Sequence, residues 1–401
     1  MNALPMPPAQ VTAGQVVDFD IYAPHREDED FFAAWVRLRE DTPYPVVWTP
    51  RNGGHWIATR GAGVLEVFQD FARFSSDAFG VPRAQDAQRP LGALLKDPPQ
   101  HQPYRQFLNA GLSPRIIRAS EPAIRARAVA LIEGLRPRGR CEVVRDFADV
   151  LPLSVFLELV NLPLGDREML ADWTAETVRG ADVTAREQAF AALADYLRPV
   201  LAARRGRAGD DMLSAIANLC VDGKIIDDDE AIGAAIHLVM AGLDTVASLL
   251  VFVLDYLARH PDERRRLREE PARLQPAATE FIRRFPLVVM SRRVRADCVF
   301  EGTLLRNGDM ISAASMLYNL DPDLFPDPLR FDPDRRTVQV ATFGHGIHRC
   351  PGALLGRTEL LVTLQEWLAR IPDFELDGSD ELPTRGGIVA SMDRLPLRWR
   401  T

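Results

Sequence analysis

The sequence predicts a mainly α-helical protein with a small β region, folded as one large domain over residues 1–401. Three observations lead there. Apolar positions recur at helical spacing from Gly61 to about Arg284, the segment Ala234–Leu257 within it is apolar nearly all round, and the short β-like runs lie outside that stretch. No internal repeat, low-complexity tract or flexible linker divides the chain. With 47% hydrophobic and 26% charged residues the composition is that of an ordinary globular protein, which excludes disordered, collagenous and small disulfide-scaffold classes.

Taken in order, residues 1–15 are rich in Pro and Ala and are expected to form a flexible tail. They contain neither a basic n-region nor an apolar h-region, so a cytoplasmic location is expected. Pro45–Trp48 and His55–Thr59 read as two strands joined through Asn52-Gly53-Gly54, a turn sequence that tolerates positive φ. The helical body that follows is punctuated near Pro82, Pro98-Pro99, Pro137 and Gly206. Its strongest helix begins at Asp227, where Asp-x-x-Glu to Glu230 resembles a capping box, and runs unbroken to Pro261, about 50 Å at 1.5 Å per residue. After Phe285-Pro286, Thr303–Leu305 and Met310–Ala314 read as strands flanking an Asn307-Gly308 turn; one more helix follows Cys350, and terminal strands lie near Gly387–Arg398.

The central helix is long enough to cross a bilayer, but it carries His237, Asp244, Thr245, Ser248 and Asp255. Each central Asp would cost about 2.5–3.5 kcal/mol in a membrane, so a buried helix is expected and no membrane partner. Lys plus Arg number 48 against 56 Asp plus Glu, a net charge of −8 with the basic residues scattered, which argues against a nucleic-acid partner. The four cysteines, Cys141, Cys220, Cys298 and Cys350, are too far apart in sequence to form a close metal-binding pair.

The densest cluster of ligand-type residues is Phe343-Gly344-His345-Gly346-Ile347-His348-Arg349-Cys350-Pro351-Gly352. Its glycines let backbone approach a flat group, and a cysteine just before a helix favours a thiolate, so a single anionic sulfur ligand is indicated. A lone cysteine is more often a small buried hydrophobe. A zinc reading also stays open, because His345, His348 and Cys350 are all ligand types, although their spacing matches no common zinc motif.

From Phe343 to Gly352 the pattern Phe-Gly-x-Gly-x-His-x-Cys-x-Gly resembles the haem-thiolate loop of the cytochrome P-450 monooxygenases. Similarity to the camphor-hydroxylating subfamily covers most of the chain after about residue 60, including Thr363–Phe374 and Gly387-Ile388-Val389. The resemblance implies the cytochrome P-450 fold, with haem b buried between helical body and β region, Cys350 as iron ligand, and Phe343, Gly344 and Gly352 in the cofactor loop. Glu280 and Arg283 match the family's Glu-x-x-Arg, a buried ion pair completed by a further arginine, either Arg330 or Arg335. Ala241-Gly242-Leu243-Asp244-Thr245 matches the oxygen-pocket motif, making Asp244 and Thr245 the proton relay. A helical Thr can also bond back four residues, here to the Ala241 carbonyl. By the same resemblance His101, Arg105, Arg292 and His348 hold the two haem propionates.

Departures from the subfamily bear on substrate. No tyrosine stands between Phe74 and Asp97, and the camphor enzyme's carbonyl-binding Tyr falls near Arg89, so camphor itself is not the expected substrate. Helical spacing puts His237, Met240, Ala241, Asp244 and Thr245 on one face, where the His237 imidazole replaces an apolar residue and is able to donate to a ketone. Equally, it is satisfied by backbone or water in the core. With Val288, Met290 and Ile388 as apolar wall, the expected substrate is a small terpenoid or norisoprenoid ketone. Dioxygen is the second substrate, and a two-iron two-sulfur ferredoxin with a flavoprotein reductase supplies electrons by analogy. The rival function is a non-catalytic haem sensor or carrier.

Overall fold

In the computed structural model, which describes residues 4–26, 29–78, 80–82, 91–179, 183–336, 339–378 and 382–401, the two N-terminal strands form as expected. They are β1 (Val46–Thr49) and β2 (His55–Ala58), antiparallel with Trp48 opposite Trp56. Asn52, Gly53 and Gly54 turn the chain with φ of 52°, 83° and 82°. A Cβ at Gly54 would lie 2.8 Å from the Trp48 ring, so sterics and backbone both require glycine there. Further strands β3 (Phe74–Ser75), β4 (Val289–Val294) and β5 (Met310–Ala314) complete a sheet ordered β1-β2-β5-β4-β3. The strands flanking Asn307-Gly308 are not each other's partners. Thr303–Leu305 pairs with Cys298–Phe300, whereas β5 pairs with β4 and β2, because the fully buried β5 needs neighbours on both edges.

Seven helices position the site: α1 (His101–Gly111), α2 (Pro114–Leu135), α3 (Val150–Leu159), α4 (Asp228–Leu243), α5 (Thr245–Arg259), α6 (Leu274–Arg284) and α7 (Ala353–Arg370). Asp227 caps α4 by accepting from the Glu230 N–H at 2.8 Å, but the Glu230 carboxylate turns away to the Lys96 ammonium at 2.6 Å. Only half of the expected box therefore forms.

The expected unbroken central helix is corrected by the structure: α4 ends at Leu243 and α5 starts at Thr245, with Asp244 between them at φ −108° and ψ −38°, its φ widened from the helical value. Each half buries its apolar face in a different core. Ala231, Ala235 and Val239 of α4 pack with Phe156, Leu193 and Leu213, whereas Leu250, Phe252 and Leu257 of α5 pack with Phe32, Phe285 and Trp367. Gly242 weakens the helix just before the junction. A Cβ on it would come within 2.3 Å of the Phe156 ring of α3, so the glycine also permits close packing there.

The segment expected to be a loose tail is anchored at its end. Gln15 is buried, its side-chain amide donating to the Val46 carbonyl at 3.3 Å and the Thr303 hydroxyl at 3.0 Å.

Candidate active site

The cysteine loop is shaped by its own backbone. The Gly344 N–H donates to the Ala341 carbonyl at 2.8 Å and the Cys350 N–H to the Phe343 carbonyl at 2.7 Å, folding Phe343 and Cys350 together. Gly344 and Gly346 sit at φ of 65° and 66°, and a Cβ on Gly346 would meet the Phe68 carbonyl at 2.7 Å. Cys350 opens onto a cleft of about 420 Å³ shared with Arg105, Phe343, Arg349, Leu354 and Arg357. Burial raises its thiol pKa, against the Gly352 N–H and the charges of Arg105 and Arg349, which lower it. A sulfur so placed ionises when a metal cation takes it.

The loop is tied to α6 through a buried network. Arg283, fully buried, donates from Nε and Nη2 to both Glu280 oxygens at 2.8 Å, and from Nη1 to the carbonyls of Asn319 at 2.9 Å and Pro328 at 2.8 Å. Asn319 in turn accepts from the Ala341 N–H at 2.7 Å and donates to the Thr342 hydroxyl at 2.6 Å, at the root of the loop. Of the two candidate third arginines it is Arg335 that reaches Glu280, at 3.3 Å; the Arg330 side chain pairs with Asp332, and only its carbonyl joins the network. Asn319 was not foreseen, since nothing local marks a buried Asn as a hub.

Beside the loop lies a cluster of two histidines and two arginines. His101 opens α1 and Arg105 follows one turn later; the His101 and His348 rings are 4.5 Å apart between centroids. Burial, with the charges of His348 and Arg105, pushes His101 down to about 4, and burial also lowers His348. Arg292 on β4 is 3% exposed, pushed down to about 10 by burial, and forms no ion pair among the described residues; its Nη1 donates to the Ser291 carbonyl at 2.9 Å. His348 Nε2 is buried without a hydrogen bond, 3.7 Å from the Asp97 carboxylate. A buried guanidinium with no ion pair among the described residues calls for a further anion. Two haem carboxylates would meet that need, and the cleft-facing Cys350 sulfur would be the iron's thiolate ligand, so these residues fit haem.

Above the loop, His237, Met240 and Thr245 are half-buried and Ala241 is exposed, whereas Ile236, Leu238 and Val239 between them are buried. Asp244 is buried at the helix break. The expected back-bond from Thr245 to Ala241 is absent; Thr245 opens α5, and its hydroxyl forms no hydrogen bond among the described residues. Burial first, and the His348 charge second, push His237 down to about 4, so its imidazole is neutral near pH 7. Val288 bridges Val389, and the Val289 N–H donates to the Ile388 carbonyl at 3.0 Å, bringing Val288, Met290 and Ile388 to one sheet edge. Arg89 lies outside the described residues. The zinc reading fails on geometry: His345 Nδ1 is 2.8 Å from the Gln69 amide, and no three metal-type ligands converge among the described residues.

A helical body holding one cysteine in a glycine-shaped loop, cations for two carboxylates and a broken helix above defines the haem-thiolate class of oxidoreductase. The chain belongs to the cytochrome P450 family, matching it over residues 169–388, and is a cytochrome P450 monooxygenase that binds haem b. Like other members it uses dioxygen and a redox partner. It is 35% identical over 375 residues to "Probable cytochrome P450 127A1" of Sinorhizobium fredii, covering 92% of this chain and 90% of that one. The solved structure of CYP101C1 superposes with a TM-score of 0.90 at 40% identity, and that of CYP101J2 with 0.89 at 39%, each spanning 99% of this chain and 100% of the other.

Proposed function

We propose that this monooxygenase hydroxylates a small apolar terpenoid or norisoprenoid ketone in the cytoplasm, with electrons from a two-iron two-sulfur ferredoxin and its flavoprotein reductase. The observation that carries the substrate reading is His237, a neutral, half-buried imidazole without a hydrogen bond among the described residues. Val288, Met290 and Ile388 supply apolar wall, so one polar contact orients an otherwise oily molecule. For location, 65% of the 18-residue apolar window within Asp228–Arg259 is buried, as suits the core of a soluble protein.

The roles follow from position. Cys350 would hold the iron, Phe343, Gly344 and Gly352 give the loop its shape, Arg105 and Arg292 would neutralise the haem carboxylates, and His101 and His348 would offer them hydrogen bonds. Bound haem supplies oxygen activation, to which thiolate electron density contributes by favouring O–O cleavage. Asp244 takes a proton from solvent and hands it on, and the Thr245 hydroxyl passes it into the pocket. Arg349 and Arg357 flank the cysteine cleft, a local positive surface on a chain of net charge −8 that suits an acidic ferredoxin.

The test is ketone titration monitored by the iron spin state. His237→Ala should weaken ketone binding about tenfold while leaving the matching hydrocarbon unaffected; unchanged ketone affinity and regioselectivity would remove the hydrogen-bond role. Turnover with a reconstituted ferredoxin and reductase excludes the rival haem sensor.

A further inference from the structure

The cluster of histidines and arginines contains one acid, Asp97, the residue before Pro98-Pro99. It is 9% exposed and accepts from the Ser75 hydroxyl at 2.6 Å, the Ser76 N–H at 3.1 Å and the Arg295 guanidinium, with His348 Nε2 at 3.7 Å. Burial alone would raise this carboxyl; the His348 ring, the two serine donors and Arg295 outweigh it and hold the acid well below the usual carboxylate range. Ser75 belongs to β3, which pairs with β4 through Ser75 and Arg293, next to Arg292. One carboxylate thus joins the sheet edge, the approach to α1 and the cysteine loop, the three elements that carry Arg292, His101 and His348.

We propose that Asp97 is a positioning residue for the haem carboxylates: it anchors the His348 imidazole from behind and occupies Arg295, so that His348, Arg292 and Arg105 remain directed at the cofactor. This rests on the reading of those three as haem-carboxylate partners. The charges are consistent with it. Arg295 is engaged by Asp97, while Arg292 has no acid partner among the described residues and Arg105 donates only to the Arg349 carbonyl. Without Asp97 the His348 ring would lose its anchor and Arg295 would compete for the same anions.

The experiment compares the holoproteins of wild type, Asp97→Asn, Asp97→Glu, Arg295→Gln and Arg292→Gln by haem transfer to apomyoglobin and by midpoint potential. Asp97→Asn should lose haem about tenfold faster, the scale of about 1.4 kcal/mol for removing the charge that faces His348 and Arg295, with a raised potential. Asp97→Glu should restore part of both. Arg295→Gln, which keeps the Asp97–His348 contact, should retain haem at the wild-type rate and lower the potential, a reversal of sign that a loss of fold stability does not produce. If Asp97→Asn does not fold, Arg295→Gln carries the test, and an unchanged or raised potential overturns the proposal. Wild-type haem loss and potential in Asp97→Asn, with faster loss in Arg292→Gln, overturns the role of Asp97 alone. Wild-type haem loss in Arg292→Gln overturns the carboxylate reading and this proposal with it.

Discussion

Replacing Pro351 by Leu gives the cysteine sulfur a second backbone donor. Proline has no N–H, and the Cys350 N–H is spent on the Phe343 carbonyl at 2.7 Å, so the backbone donor reaching the sulfur is that of Gly352. A hydrogen bond to a charged acceptor is worth about 1.5–3 kcal/mol. It stabilises whichever oxidation state leaves more negative charge on sulfur, which is the reduced one. If about half of that value discriminates between the two states, the one-electron potential rises by roughly 30–65 mV, at 59 mV per tenfold change in equilibrium. Spectroelectrochemical titration of wild type and Pro351→Leu reads this directly. A downward shift, or none, refutes the reasoning that the missing amide keeps the thiolate electron-rich. Pro351 lines the open cleft, so the leucine side chain has room and the comparison is not confounded by misfolding.

Two further outcomes follow from buried acids. Asp244→Asn should lower turnover about a hundredfold, the scale of one general acid–base contribution, while leaving ketone affinity unchanged; equal loss in both would make Asp244 a structural residue. Glu359 on α7 is 1% exposed and burial pushes it up to about 8. Between its ordinary value of 4.5 and that value the native state keeps a proton that the unfolded chain releases, so its contribution to stability is lost as pH rises through this window. Urea midpoints should therefore fall more steeply from pH 5 to pH 8 in the wild type than in Glu359→Gln, and parallel profiles would refute the assignment.

What was legible in the sequence was local. The cysteine loop, the Asn52-Gly53-Gly54 turn and the Glu280–Arg283 pair each sit within a few residues, where side-chain type and spacing decide the geometry. The break at Asp244 was hidden because no proline marks it; the helix parts because its halves serve different cores, a long-range fact. The choice of Arg335 over Arg330 depended on which of two nearby arginines the chain turns inward. Asn319 and Asp97 act through partners far along the chain, Ala341 and Thr342 for one, Ser75, Arg295 and His348 for the other, so no window of sequence contains their roles. The pairing of β5 with β4 and β2 was missed for the same reason: a turn motif says that the chain reverses, not which strand receives it.

Coordination of the cofactor by the Cys350 sulfur is the claim on which the catalytic reading depends, and the carbon monoxide spectrum of the reduced protein tests it most directly. The wild type should give the strongly red-shifted Soret band of thiolate-ligated haem, and Cys350→His, if it retains haem, should give the band of a nitrogen-ligated haem. A wild-type spectrum without the red shift, or one that survives unchanged in Cys350→His, contradicts it.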